Sequence, residues 1–284
     1  MTSSRIVYVN GEFVAEEDAK ISIFDRAFQF ADSVYEVTAV LDGALVDFDN
    51  HMVRLTRSLG EMEIVAPLDE AALRAMHGEL IARNQLREGL IYMQVSRGSA
   101  DRDFAYPKGI QPTLIAFSQE KNLTASPYAE TGVTVVTLPD IRWKRRDIKS
   151  TSLLAQAMAK EAAKRQGAFE GWMVEDGFVT EGTSSTSFIV LADRTVVTRP
   201  LSTAILAGVT RRAILKLAET DGIKIDERAF SVEEALGASE AFLTSASTFV
   251  LAVVEIDGVK IGDGKPGPIA RQFHEHYLAE ARKG

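Results

Sequence analysis

The chain contains no cysteine, which excludes disulfide staples, thiolate nucleophiles and zinc–thiolate centres. Histidine is almost as scarce: the four present are scattered and leave little for a metal cluster, so no metal is expected. No stretch approaches about 18 uninterrupted apolar residues, and Met1-Thr2-Ser3-Ser4-Arg5 leads into a strand-like run without a basic and apolar secretion signal. These absences predict a soluble, cytoplasmic protein with no membrane partner. Charge of one sign is nowhere concentrated in a long block. With 32 basic against 40 acidic residues, the formal charge of −8 argues against nucleic acid or an anionic membrane surface as a partner. An anionic substrate would need a local basic pocket. There is no repeat of solenoid period.

What is present is a globular composition, 46% hydrophobic and 25% charged, in a chain of 284 residues, long enough that two domains are expected. Four Asn-Gly or Asp-Gly pairs, at 10–11, 42–43, 176–177 and 257–258, separate β-favouring runs. Such pairs tolerate the positive φ that tight hairpins require, so antiparallel pairing should be abundant. Apolar residues at threes and fours predict helices near 50–61, 68–86, 151–166, 208–221 and 267–282, with Gly167 and Gly222 as C-terminal stops. Hairpins and helices in separate clusters read as α+β rather than a repeated βαβ wind. The polar segment after the strand at 113–117 marks a linker. This predicts a small N-terminal domain over 1–118, a linker over 119–131 and a larger C-terminal domain over 132–284.

Lys149 stands between the strand-like run 133–138 and a helical run, in Asp147-Ile148-Lys149-Ser150-Thr151. Alone it reads as a surface cation. Its company is Thr180-Glu181-Gly182-Thr183-Ser184-Ser185 downstream and Asn50-His51-Met52-Val53-Arg54-Leu55 upstream. An amine, a carboxylate, an arginine and a hydroxyl-rich turn form the set needed to hold pyridoxal phosphate and use it. Amino-group transfer needs an amine that condenses with the cofactor aldehyde, yields it and shuttles a proton, which is lysine chemistry. A carboxylate such as Glu181 improves the electron sink by facing a protonated pyridine nitrogen; the plain alternative is a solvated residue after a hairpin. Arg54 and the helix start Gly208-Val209-Thr210 suit a phosphate, although an arginine on a helix surface and a Gly-Val-Thr helix opening are both common. Thr244-Ser245-Ala246-Ser247 is a second phosphate candidate or an ordinary polar loop. Tyr35 is a core or interface tyrosine, or a phenol able to hydrogen-bond a substrate carboxylate. Arg102, in the long loop Arg97-Gly98-Ser99-Ala100-Asp101-Arg102-Asp103-Phe104-Ala105-Tyr106-Pro107, could grip a carboxylate through two parallel hydrogen bonds or pair with Asp101 or Asp103 in water.

Taken together these segments resemble the fold-type-IV pyridoxal-phosphate aminotransferases, and most closely their D-amino-acid branch, over almost the whole chain. The resemblance is carried by Asp25-Arg26-Ala27-Phe28-Gln29-Phe30-Ala31-Asp32-Ser33-Val34-Tyr35-Glu36, His51-Met52-Val53-Arg54-Leu55, Asp140-Ile141-Arg142-Trp143 with Asp147-Ile148-Lys149-Ser150, Thr180-Glu181-Gly182, Leu206-Ala207-Gly208-Val209-Thr210-Arg211 and Thr244-Ser245-Ala246-Ser247. It implies two α/β-type domains with mostly antiparallel sheets, the C-terminal one a pseudo-barrel. Lys149 would form the Schiff base and shuttle the proton, with Glu181 against the pyridine nitrogen. Arg54, Val209, Thr210, Ser245, Ala246 and Ser247 would hold the phosphate, and Leu206 would pack on the ring. It further implies a homodimer with active sites between the domains and the Arg102 loop reaching the partner's site. Tyr35 and Arg102 match the branch's trap for the substrate carboxylate, but Phe104 occupies its histidine position and cannot hydrogen-bond a carboxylate. Two other departures are Thr186 for a frequent asparagine and Ala246 for a frequent threonine; Ala246 can offer only its backbone N–H. The basic run Arg142-Trp143-Lys144-Arg145-Arg146 would border the phosphate site or the domain interface, with Arg142 or Arg145 ordering neighbouring side chains.

The implied reaction moves the amino group of a D-amino acid to a 2-oxo acid, 2-oxoglutarate or pyruvate. Rival readings on the same fold are an (R)-selective amine transaminase, which Phe104 keeps in view, a branched-chain L-amino-acid aminotransferase, and an aminodeoxychorismate lyase. A non-catalytic dimeric scaffold is the rival from a different class.

Overall fold

In the computed structural model, residues 4–282 are described. Met1-Thr2-Ser3, on which part of the leader-free reading rests, and the last two positions of the expected C-terminal domain lie outside the described residues.

The chain divides into two units. The first holds the described residues up to Asn122 together with Ile148–Ser152. Its elements are β1 (Ile6–Val9), β2 (Glu12–Ala15), α1 (Arg26–Phe30), β3 (Ser33–Leu41), β4 (Ala44–Leu45), α2 (Phe48–Glu61), α3 (Glu70–Asn84), β5 (Gly89–Ser96) and β6 (Thr113–Glu120). The six strands form one antiparallel sheet in the order β2-β1-β6-β5-β3-β4. Alternation along β3 sends Val34, Glu36, Thr38 and Val40, all buried, to one face. That face joins Ile91, Met93 and Val95 to the apolar stripe of α2 (Phe48, Met52, Leu55, Leu59) and to Leu73, Met76 and Leu80 of α3. Asp69 caps α3 by accepting from the Ala72 N–H at 2.8 Å.

The second unit holds Leu123–Asp147 and the described residues from Leu153 on. It comprises α4 (Tyr128–Thr131), β7 (Val133–Pro139), α5 (Leu154–Arg165), β8 (Glu170–Glu175), β9 (Phe178–Gly182), β10 (Thr186–Val190), β11 (Val196–Thr198), α6 (Val209–Thr220), β12 (Ile225–Glu227), α7 (Val232–Leu236), β13 (Glu240–Ser245), β14 (Phe249–Ile256), β15 (Val259–Lys260) and α8 (Pro268–Ala281). The sheet runs β12-β11-β10-β13-β14-β7-β8-β9, with β15 beside β14. β9 and β10 stand at distant places in that order, yet only residues 183–185 join them. Three residues span roughly 10 Å at most, so the sheet must curl back on itself into a half-barrel. Its interior packs Trp172, Val179, Ile189, Leu243, Leu251 and Val253. Outside, Phe188 and Phe242 face each other across the β10–β13 ladder and stack at 4.6 Å, with Phe273 of α8 against them. The N-terminus of α8 is capped from a distance: the Glu240 carboxylate accepts from the N–H groups of Ile269 (3.1 Å) and Ala270 (3.0 Å).

All four expected hairpin pairs take positive φ at both residues, from 48° at Asn10 to 102° at Gly11. Gly167 and Gly222 follow the ends of α5 and α6 at φ of 78° and 67°. Differences from the sequence reading lie at the borders. β6 continues to Glu120, inside the expected linker, and α4 occupies the linker's end. The helix expected from 151 begins at Leu154, because 149–151 lie extended beside β3: the Tyr35 N–H donates to the Lys149 carbonyl (3.0 Å) and the Thr151 N–H to that of Ser33 (3.1 Å). The segment β7-α5-β8 is a parallel crossover, one βαβ step within the α+β architecture.

Candidate active site

The sequence-selected residues form two groups, one in each unit. In the first unit the starting point is Glu36. Strand parity puts its carboxylate on the helix-covered face of the sheet, where it is 1% exposed, and a buried carboxylate requires a partner. The helix α2 provides two, one turn apart. Arg54 donates to it through Nε (2.8 Å) and Nη2 (2.6 Å), and the His51 ring meets it through Nδ1 at 2.7 Å. Burial alone would raise the acid's pKa, but the Arg54 charge and these hydrogen bonds prevail and bring it to about 2. Burial pushes the His51 imidazole below its ordinary value, against the pull of Glu36. Arg54, expected at the cofactor phosphate, is thus held by a bidentate fork that fixes its direction.

On the opposite parity Tyr35 stacks on Tyr92 at 5.5 Å, and Tyr92 on Phe117 at 5.0 Å. Burial, with Tyr35 nearby, raises the Tyr92 phenol well above its usual range. Lys149 places Nζ 4.3 Å from the centroid of the Tyr35 ring, and its backbone N–H donates to Ser58 Oγ of α2 at 3.3 Å. Lys149 and Tyr35 are therefore neighbours. Arg102 takes neither of the carboxylates beside it in sequence; its guanidinium lies 5.1 Å from the Phe30 ring and 5.2 Å from that of Phe104. Phe104 is 76% exposed.

In the second unit, Glu181 is the penultimate residue of β9 and is buried. One oxygen accepts from Arg142 Nη1, the other from the Leu206 N–H at 3.1 Å. Arg142 is shared: Asp140 receives its Nε (2.9 Å) and Nη2 (2.7 Å), and Thr180 Oγ1 donates to Asp140 at 2.6 Å. Burial raises the Glu181 pKa; Arg142 opposes this and Asp140 adds to it. Arg146 pairs with Glu175 at 2.9 Å and approaches Asp140 at 3.3 Å. Arg145 faces Asp147 at 3.1 Å. Of the basic run, Arg142 and Arg146 are buried and Arg142 orders Glu181, while Trp143 and Lys144 are exposed.

The turn after Glu181 is shaped by Glu170, whose buried carboxylate accepts from Thr183 Oγ1 (2.8 Å), Ser184 N–H (2.8 Å), Ser184 Oγ (2.9 Å) and Ser185 Oγ (2.5 Å). Gly182 is required there, since a Cβ would lie 2.2 Å from Ser185 Oγ and 2.8 Å from Glu170 Oε2.

Gly208 opens α6 without a side-chain cap, leaving its first N–H groups for another acceptor. A Cβ at Gly208 would stand 2.8 Å from Thr186 Oγ1, and Thr186 pairs with Thr244 across the ladder. Val209 and Thr210 and the turn Ser245-Ala246-Ser247 therefore stand at the same end of the sheet. In that turn Ser245 Oγ lies 2.7 Å from Thr248 Oγ1 and 3.3 Å from Ser247 Oγ. The hydroxyls of Thr210 and Thr244 are buried with no hydrogen-bond partner among the described residues. Uncapped helical N–H groups beside orphaned hydroxyls are the donor set a phosphate monoester requires, so these residues fit the phosphate of pyridoxal phosphate. Glu36, His51 and Glu170 were missed as site residues; His51 and Glu36 did lie within quoted motifs, and Glu170 carries no sequence signal beyond a carboxylate opening a strand.

The profile of the family described as Amino-transferase class IV matches residues 33–256. A D-alanine aminotransferase from Bacillus licheniformis is 38% identical over 265 residues, spanning 93% of this chain and 93% of that protein. One from Staphylococcus aureus is 36% identical over 274 residues, 95% and 96% of the two chains. Among solved structures, the branched-chain amino acid aminotransferase of Escherichia coli superposes with a TM-score of 0.90 at 24% identity, over 98% of this chain and 95% of that one. A hypothetical aminotransferase from Mycobacterium tuberculosis in its PLP-bound form gives 0.84 at 25% identity, over 98% and 99%.

Proposed function

The chain belongs to the class IV aminotransferases, enzymes that depend on pyridoxal phosphate, and from that premise we propose that it transfers the amino group of D-amino acids to a 2-oxo acid, either 2-oxoglutarate or pyruvate. The observation that carries this reading is the identity of 36% and above to D-alanine aminotransferases across nearly the full length of both partners. When bound, the cofactor supplies an aldehyde that condenses with amines and a ring that accepts electrons from the substrate Cα–H bond. The Lys149 amine would hold that aldehyde and, when free, would take the α-proton on Nζ and return one. Tyr35, against Lys149, bounds the site and offers its hydroxyl to the substrate carboxylate. Glu181 would face the pyridine nitrogen and, as a carboxylate, would favour a proton on it. Arg142 and the Leu206 N–H hold that carboxylate in place, and Leu206 would pack on the ring. Arg54, Val209, Thr210, Ser245, the Ala246 backbone and Ser247 bind the phosphate.

Arg102 grips the substrate carboxylate, in a homodimer whose Arg102 loop reaches the partner's site. Support for the dimer comes from the exposed apolar residues Ile23 (69%), Phe24 (50%), Phe28 (79%) and Phe104, an unusual concentration for a surface left bare. The enzyme is read as cytoplasmic; no helix among the described residues is long and apolar enough to cross a membrane. The division of labour between a domain over 1–118 and a cofactor-binding domain over 132–284, joined by 119–131, belongs to this reading.

The test is a half-reaction on protein loaded with pyridoxal phosphate, following the visible absorption of the bound cofactor. Bleaching by D-alanine, with L-leucine and (R)-1-phenylethylamine slow, is the expected result. Fast bleaching by L-leucine reassigns the chain to branched-chain substrates, and equal bleaching by the amine means that Phe104 has removed the carboxylate requirement. Lys149→Ala should lower turnover by more than about 10³-fold; retained turnover ends the lysine mechanism.

A further inference from the structure

We infer that Arg26, which has no part in the reaction as read above, is the positioning residue for the loop carrying Arg102 and Phe104, and so sets how strongly the substrate carboxylate is held. The inference rests on the reading of Arg102 as that carboxylate's partner. It starts from a charge imbalance. Asp32, 6% exposed, receives two guanidinium groups: Arg26 through Nε at 2.7 Å, and Arg97 through Nε at 2.8 Å and Nη2 at 3.0 Å. Both arginines are buried, Arg26 at 3% and Arg97 at 6% exposure. One carboxylate cannot neutralise two cations, and the remaining N–H groups must find acceptors. Arg97 spends its own on the carbonyls of Met62 (2.6 Å) and Glu63 (3.0 Å). Arg26 turns Nη1 to the loop, donating to the carbonyl of Asp103 at 2.6 Å and approaching that of Ala105 at 3.5 Å.

Those two carbonyls flank Phe104 and follow directly on Arg102. Further along, the centroid of the Tyr106 ring lies 3.4 Å from the Arg97 guanidinium, but the stretch beside Arg102 has few other means of holding a shape. At its base, Gly98 at φ of 114° comes so near the opposite strand of the loop that a Cβ would lie 2.0 Å from the Gln111 carbonyl, and the Arg26 N–H donates to the Gly98 carbonyl at 2.9 Å. Between Asp101 and Ile110, the hydrogen bonds made by the backbone among the described residues are those it accepts from Arg26 and one local bond that the Ala105 N–H donates to Asp103 Oδ1 at 3.1 Å. Rings complete the arrangement. Arg26 lies 4.7 Å from the Phe30 centroid, the same ring on which Arg102 rests, and Phe30 meets Phe104 at 5.5 Å. Arg26 therefore sets both the backbone beside Arg102 and the ring beneath it.

An arginine is needed because its fork serves Asp32 with one nitrogen and Asp103 with another. Lysine, a single ammonium, can satisfy Asp32 but not also the loop. The experiment is a double-mutant cycle on the pyridoxal-phosphate-loaded enzyme with D-alanine as donor: Arg102→Ala, Arg26→Lys and both together. Arg102→Ala should raise KM strongly. Arg26→Lys should raise KM about tenfold, leave kcat within about twofold and leave the cofactor's spectrum and affinity unchanged. The double variant should be no worse than Arg102→Ala alone, because the two act in series. A parental KM in Arg26→Lys, or multiplying effects in the double variant, overturns the positioning role while the reading of Arg102 stands. A parental KM in Arg102→Ala instead defeats that reading, and this proposal with it. Arg26→Gln serves if lysine is not accommodated. In the cofactor-free chain, trypsin should cut after Arg102 or Lys108 faster in the Arg26 variant than in the parent; equal rates count against the inference.

Discussion

Glu36 and Glu181 are both buried carboxylates facing an arginine, yet their acidities move in opposite directions, down to about 2 for Glu36 and up for Glu181. Burial acts alike on the two, so the difference lies in how much positive charge each commands. Glu36 has the whole fork of Arg54 and a histidine besides. Glu181 has one nitrogen of Arg142, whose other donors serve Asp140, and Asp140 itself repels a second negative charge. Sharing Arg142 with Asp140, whose own pKa is lowered, leaves the Glu181 anion less stabilised than that of Glu36. The first cluster is a structural clamp in which the carboxylate is held as an anion, whereas in the second burial outweighs the share of Arg142 that Glu181 receives.

The comparison can be broken most severely at Glu36. Replacing it with Ala removes the carboxylate that faces Arg54 and His51 inside the core, and should cost about 3–5 kcal/mol of stability, read as a lower urea midpoint. Cofactor affinity should fall with it, because Arg54 loses its orientation.

The next effect concerns His77, another buried group of the first unit. Burial brings its pKa to about 4, against the attraction of the Leu73 carbonyl it bonds at 2.8 Å. Since the unfolded chain binds the proton near pH 6.5 and the folded chain only near 4, stability present above pH 6.5 is lost as pH falls through that window. Between pH 7 and 5 the loss is roughly 2 kcal/mol. His77→Leu should flatten that limb, and an unchanged pH dependence of the urea midpoint would dismiss His77 as its source.

The finest test is Asp140→Asn. It removes the competing charge and releases Arg142 to Glu181, so the Glu181 pKa should fall. A carboxyl with a raised folded pKa loses stability as pH rises from its unfolded value to its folded one; the asparagine variant should narrow that window, as followed by the labelled carboxyl carbon in NMR. A Glu181 resonance that titrates as in the parent would show that burial alone sets its acidity.

Much of this molecule was legible along the chain. Asn10-Gly11, Asp42-Gly43, Asp176-Gly177 and Asp257-Gly258 all turn as expected, and the apolar period locates α2, α3, α5, α6 and α8 within a few residues. The motif order led to the family. Less legible was Lys149's own segment. An apolar and alanine-rich stretch from 151 looks helical from its first residue, but hydrogen bonds from β3, more than a hundred positions earlier, hold 149–151 extended. Arg102 likewise has acidic neighbours on both sides in sequence and rests instead on two rings.

The sequence by itself determined the turns, the helical periods and the motifs that carry Lys149, Glu181 and Arg54 in family order, because each depends on φ preferences and side-chain spacing within a few residues. Only the tertiary structure decided which charges own which partners: Glu36 with Arg54 and His51, Glu181 with a shared Arg142, Asp32 with both Arg26 and Arg97. Most of those pairings join different elements of the fold, and they form because burial removes the water that would otherwise satisfy each charge alone.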